Sequence, residues 1–352
     1  MRREFSASLD FIRLAAASVV FLGHLHTKPF GSEAFAAIGA EAHSAVVVFF
    51  VLSGFVISWA AKRDGTAANY IVGRAARIYS VAVPALVLTY LLDVSTGHIG
   101  YQHLQPWKYV PLYLSFTTDF WFLNETAFSN GPWWSLCYEV WYYVVFGIIF
   151  FGSGRWKWIA AGACLALMGP RLWLLFPIWL SGAALHRVPR LPHARLVLVA
   201  ALMGIVALKL TGLETLLNGR VDLMLGGFAK AHLRYSQFFA GDYLFAGLVA
   251  LVIWSLRDAE LDLFGRVQGA VAAMASISFS LYLTHLPLMY AFSHVFHRNI
   301  VMIALASLTA AVLFGMVFER NKRIARALIL KVLAPFPMWR AQPPKPVPTA
   351  AE

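Results

Sequence analysis

Charge, cysteine and acidic side chains are all scarce in this chain. Only 13% of its 352 residues are charged while 60% are hydrophobic, for a mean hydropathy of +0.66. That balance excludes a soluble globular domain and implies a multi-pass membrane protein. There are two cysteines, Cys137 and Cys164. Both fall inside apolar runs, so neither a disulfide framework nor a thiolate metal site is supported. Seventeen acidic residues stand against 29 Lys and Arg, a formal net charge of +12, which on its own could suggest nucleic acid. The basic residues, however, sit in short groups between apolar runs and lack interleaved aromatics on a soluble face. They read as membrane-topology signals, with no nucleic-acid partner. An H-E-x-x-H pair, Cys/His metal spacing, a P-loop and a G-x-S-x-G element are also missing. Neither a metal nor a serine nucleophile is implied, and no repeat of roughly 20–50 residues is found.

What the chain does have is apolar runs long enough to cross a bilayer. They predict an all-α polytopic protein with about ten transmembrane helices, near 8–27, 43–61, 75–93, 134–152, 157–171, 172–187, 195–211, 241–257, 271–294 and 300–319. With the N-terminus inside, the inner segments hold twenty Lys and Arg, the outer ones eight, and Arg13 lies within a helix. The positive-inside rule then places both termini in the cytosol and the chain in the cytoplasmic (inner) membrane. Arg2 and Arg3 before the apolar run Leu14–Leu22 resemble a signal peptide, but Asp10 and Arg13 interrupt that pattern and favour a retained helix. Residues 1–334 form one membrane domain, and the Pro-rich stretch 335–352 is expected to be a disordered cytosolic tail. Two outer loops are long. The first holds the aromatic stretch Trp107–Leu123, expected to be re-entrant or interfacial, since a span there would turn the later basic loops outward. The second, 212–240, is where acceptor contacts are expected to vary.

Ionisable groups inside membrane spans are costly and are functional candidates by default. The chain is organised around Leu9–Ser58, whose first helix carries Asp10, Arg13 and His24. Eleven residues separate Arg13 from His24, so at about 100° per residue both return to nearly one face, about 16 Å apart along the axis. The expected topology sorts the intramembrane charges into two layers. Asp10, Arg13, Arg74, Arg77 and Glu319 lie toward the cytosol, with Arg74 and Arg77 just before the third helix. His24, Glu139 and His285 lie toward the outside. The cationic layer suits a phosphate-bearing ligand, because a guanidinium binds phosphate oxygens bidentately. The outer layer suits proton transfer, with His24 as base and Glu139 as the carboxylate that orients it. Ser278, Tyr282 and His285 share one helical face. His26, His43, His98, His103, His294 and His297 lie in or near outer loops and are expected to be solvated.

Five segments, LDFIRLAAASVVFLGH, FFVLSGFVIS, RAARIYSVAVPAL, WWSLCYEVWYYVVF and SFSLYLTHLPLMY, together resemble the acyltransferase-3 family of integral-membrane O-acyltransferases, in the same order. The Arg-x10-His spacing is that family's hallmark. The resemblance implies transfer of an acyl group, often acetyl, from cytosolic acyl-CoA to a hydroxyl of an extracytoplasmic acceptor, commonly a polysaccharide or glycolipid. It also implies that no cofactor is permanently bound and that the partners are acyl-CoA, the glycan acceptor and the lipid bilayer. By the same resemblance His24 is similar to the catalytic histidine, with Arg13 its partner. Arg74 and Arg77 match an Arg-x-x-Arg element that meets the CoA. Ser135 and Glu139 match a Trp-Ser-Leu-x-x-Glu motif. Ser53 and Gly54 match the second-helix signature, where glycine permits close packing, and Asp10, Tyr282, His285 and Glu319 are supporting residues. A secondary transporter of an anionic or sugar substrate is the alternative from intramembrane charge alone. It would call for two related halves with interrupted helices, and the motif-bearing segments fall mostly before residue 150.

Overall fold

The computed structural model describes residues 2–335 apart from Lys28, Arg298 and Ala334. Beyond Pro335, the tail expected at 335–352 lies outside the described residues. Among the described residues the regular structure is helical, with one isolated bridge between Ala127 and Asn130 and no strand. In chain order the helices are α1 (Arg3–His24), α2 (Ala36–Ala40), α3 (Ala42–Asp64), α4 (Ala67–Thr96), α5 (Tyr101–Leu104), α6 (Pro106–Leu114), α7 (Trp133–Phe151), α8 (Trp156–Met168) and α9 (Pro170–Ala184). There follow α10 (Ala194–Thr211), α11 (Leu213–Met224), α12 (Phe228–His232), α13 (Phe239–Asp258), α14 (Gln268–Ala275), α15 (Ser278–Val295), α16 (Ile300–Val317) and α17 (Lys322–Leu333).

Local chemistry sets the helix ends. Gly65, at φ 72°, terminates α3 in the left-handed region, and Thr66 then caps α4 by accepting from the Asn69 amide at 3.2 Å. The two helices therefore run on from each other almost without a loop. As a result α4 starts at Ala67, earlier than expected, and Arg74 and Arg77 lie inside it. This corrects the sequence expectation that both precede the span.

Among the described residues seven helices are long and apolar enough to cross a membrane, or eight if α14 and α15 form one span bent by 48°. The sequence suggested ten. The difference lies at 157–171 and 172–187, expected as two spans, where the structure has α8, of 13 residues, and α9, of 15, parted at Gly169 and Pro170. At about 1.5 Å per residue each is roughly 20–23 Å long, short of a hydrocarbon core of about 30 Å. The aromatic stretch at Trp107–Leu123 forms only the nine-residue α6 and then turns, too short to span.

The centre of the bundle is the crossing of α3 with α9. A Cβ added to Gly54 would lie 2.0 Å from the Trp179 carbonyl oxygen, and one on Gly182 would lie 1.9 Å from that of Val51. The two backbones touch because neither residue has a side chain. Around this contact pack Phe50, Tyr138, Tyr142, Phe176 and Trp179. Because α3 is pinned here, Ser53 is held one residue from the crossing, facing α7.

Two histidines expected to be solvated are instead fixed. His43 donates from Nε2 to Asp242 at 2.9 Å and stacks over Trp134. His103 is buried, donating from Nε2 to Asp93 at 3.1 Å and accepting the Gly100 amide on Nδ1 at 3.0 Å. Their partners are 199 and 10 positions away. Loop position in the sequence did not reveal either.

Candidate active site

The site is built from α1, α3, α4, α7 and α15. On α1, Arg13 donates to Asp10 at 2.9 Å. Three helix turns further along, His24 faces α15, where His285 is fully buried. Thus α1 presents Arg13 and His24 to the same neighbour, as the eleven-residue spacing requires.

The hydrogen bonds of the two histidines fix their tautomers. His24 Nδ1 lies 2.8 Å from the Val20 carbonyl oxygen, and His285 Nδ1 lies 2.8 Å from that of Tyr282. A carbonyl only accepts, so in the neutral rings both protons sit on Nδ1. His285 Nε2 is then bare and shares the His24 Nδ1 proton at 3.2 Å. His24 Nε2 carries a lone pair and has no hydrogen-bond partner among the described residues. A lone pair held in a fixed direction is what a general base needs.

Glu139 is placed elsewhere. It accepts from Ser53 at 2.6 Å and from the Tyr143 hydroxyl, and Ser53 in turn accepts from the Trp179 indole at 3.1 Å. Its carboxylate also interacts electrostatically with Arg77. Glu139 therefore belongs with the cationic group, not with His24. The sequence missed Tyr143 and Trp179. The first had a usable signal, since Glu139 and Tyr143 are an i, i+4 pair on α7.

Two cavities meet at this group. One, of about 70 Å³, is lined by Arg13, Ser53, Arg77, Ser135, Glu139, Tyr143, Ser278 and Tyr282, among apolar residues of α3. The other, of about 420 Å³, is lined by Arg13, Arg77, Ser276, Ser278, Glu319, Arg320 and Lys322. Arg13, Arg77 and Ser278 line both, so a basic vestibule continues into a narrow slot. The slot ends at Tyr282, whose hydroxyl bonds Ser135 at 2.6 Å and whose ring is 6.2 Å from that of His285. The break between α14 and α15 turns the N-terminus of the 18-residue α15 into the vestibule. Glu319 caps that terminus by accepting the Ser280 amide at 2.9 Å. A helix N-terminus beside two arginines is a site for anionic oxygens.

Arg74 is separated from this system. Although three residues from Arg77, it lines a lateral groove between α4 and α7, and its guanidinium lies 3.6 Å from Asp64. Gly54 acts in packing, as described, and Asp10 pairs with Arg13. Among the described residues no group of three or more His, Cys, Asp or Glu side chains is placed to hold a metal ion.

Comparison with known proteins agrees with this geometry. Part of the chain is similar to an O-acetyl transferase of Shigella phage Sf6, 28% identical over 158 residues, or 41% of this chain and 45% of that relative. The match thus spans less than half the length of the relative. No solved structure matches. The family described as "Acyltransferase domain" matches residues 6–320, nearly the whole chain. The chain belongs to the acyltransferase-3 family.

Proposed function

We propose that the protein transfers an acyl group, acetyl in the simplest case, from cytosolic acyl-CoA to a hydroxyl of an extracytoplasmic polysaccharide or glycolipid in the cytoplasmic membrane. The observation that carries this reading is the continuity of the basic vestibule with the slot that ends one helical turn from His285. The phosphates of the donor bind among Arg13, Arg77, Arg320 and Lys322 at the N-terminus of α15, where permanent positive charge and backbone amides converge. The pantetheine arm then lies along Ser53, Glu139 and Ser135, and the thioester is presented past Tyr282. An extended arm suits a slot too narrow for a nucleotide.

At the far end His24 Nε2 takes the proton of the acceptor hydroxyl as its oxygen attacks the thioester carbon. The carbon–sulfur bond breaks, and the imidazolium returns the proton to the departing thiolate, giving the ester and CoA thiol. His285 holds the His24 ring in the tautomer that leaves Nε2 bare. Ser135 and Tyr282 are the hydroxyl donors nearest the end of the slot and serve as oxyanion donors there. Glu139 neutralises Arg77 and fixes the slot wall through Ser53 and Tyr143.

Sealed membrane vesicles of defined orientation test the sidedness. Labelled acyl-CoA outside inverted vesicles, with the glycan acceptor enclosed, is expected to label the glycan. Labelling that occurs only when donor and acceptor are on the same side would overturn the two-sided reaction.

A further inference from the structure

The lateral groove that takes Arg74 away from the slot has a volume of about 650 Å³ and runs between α4, α7 and the start of α8. Its wall is apolar along most of its length, with Ile78, Val144 and Ile148 among the lining residues. From Ala67 to Tyr79 it follows α4 for about 18 Å, close to the hydrocarbon depth of one leaflet. Cations occur at one end only, where Arg74 and Lys157 line it. Next to them Trp156 and Trp158 are 68% and 60% exposed. Exposed tryptophans beside Lys and Arg mark the headgroup level of a bilayer.

Arg74 is incompletely matched by the protein itself, although its guanidinium rests over the Tyr70 ring at 5.9 Å. Its side chain is only 12% exposed, its Nε is buried without a hydrogen-bond partner, and its one acidic contact, Asp64, is beyond hydrogen-bond distance at 3.6 Å. A largely buried guanidinium whose Nε is an idle donor calls for an anionic oxygen. Tyr143 forms the wall between groove and slot, with its hydroxyl held on Ser53 and Glu139. The groove is therefore a separate site.

We infer that this groove binds one anionic phospholipid from the leaflet at the basic end of the bundle, with its phosphate on Arg74 and Lys157 and one acyl chain along α4 and α7. The phosphate supplies the acceptor that Arg74 lacks, and the apolar channel covers a chain of one leaflet's length. This site does not depend on the acyl-transfer reading.

The purified protein, exchanged into mixtures of phosphatidylglycerol and phosphatidylcholine with identical chains, is analysed for retained lipid by native mass spectrometry. Wild type is expected to retain phosphatidylglycerol in preference, by roughly tenfold for a buried charge-assisted contact. The R74Q/K157Q double variant loses that preference, and Val144→Trp, which fills the groove, loses both lipids. An unchanged preference in the double variant, or unchanged retention in Val144→Trp, overturns the proposal. So does displacement of phosphatidylglycerol by long-chain acyl-CoA, which would make the groove a donor-chain site. A photoactivatable phosphatidylglycerol on wild-type protein needs no variant. Cross-links are expected at Ile78, Val144 or Ile148, and cross-links confined to other surfaces contradict the site.

Discussion

His285 Nε2 lies 3.2 Å from His24 Nδ1, across 261 positions of sequence and between two helices that also meet through apolar side chains. This contact orients the proposed base. With its own Nδ1 proton on the Tyr282 carbonyl, His285 can only accept from His24.

Replacing His285 with Phe is therefore expected to lower kcat by about tenfold to a hundredfold, while KM for acyl-CoA stays near wild type, because the proposed phosphate site at Arg13 and Arg77 is far from it. Gln, which can still place an acceptor toward His24, is expected to restore part of the rate. Steady-state kinetics on the three proteins check this. A change confined to KM would remove His285 from the base.

Arg77 lines both the vestibule and the slot. Arg77→Gln is expected to raise KM for acyl-CoA at least tenfold, the loss of one charge-assisted phosphate contact. Arg77→Lys should recover only part of this, since an ammonium lacks the bidentate fork. Binding of acyl-CoA by calorimetry in detergent measures it directly.

Gly54 tolerates no side chain, because any Cβ there would meet the Trp179 carbonyl oxygen. Gly54→Ala is expected to destabilise the bundle by about 1–3 kcal/mol or more through overpacking. It should also displace Ser53 from Glu139, lowering both Tm and activity. Gly162, with nothing near its Cβ position, is the control. Gly162→Ala should leave both unchanged.

Asp119 lies outside the spanning helices, fully buried and bonded to Arg234 at 2.7 Å. Burial pushes its pKa up to about 6, although Arg234 and Arg171 pull it down. Because the folded state holds this proton more tightly than the unfolded chain, Asp119 contributes stability below about pH 4 that is lost as pH rises through about 6. Tm measured from pH 4 to pH 7 should show this fall in wild type and not in Asp119→Asn. The same profile in both proteins would contradict it.

Some of this was legible in the sequence because it depends on one helix alone. The Arg13–His24 spacing is such a case, since helical periodicity determines which side chains share a face. The Gly54 contact was anticipated only through the resemblance to the family's second-helix signature. Glu139 was not, because depth along an axis says nothing about which neighbouring helix a residue faces. It was grouped with His24 by depth, and the fold turns it toward Ser53, Tyr143 and Arg77. The same limit hid the divergence of Arg74 from Arg77. Three residues apart they are rotated by about 60°, enough to place them in different cavities. His43 and His103 were misjudged because Asp242 and Asp93 reach them only through tertiary packing. The difference in span count has a simpler cause, since 157–171 and 172–187 were each counted as a span although pieces of about 15 residues fall short of the roughly 20 that a crossing helix needs.

The central claim is that His24 Nε2 is the base. Its most direct test is transfer of labelled acyl groups from acyl-CoA to envelope glycan by membranes containing equal amounts of wild type and His24→Ala, with acyl-CoA binding measured in parallel. The expected result is a rate about 10²–10⁴-fold lower with donor binding retained. Near-normal transfer by His24→Ala would contradict the account and move the chemistry to another residue.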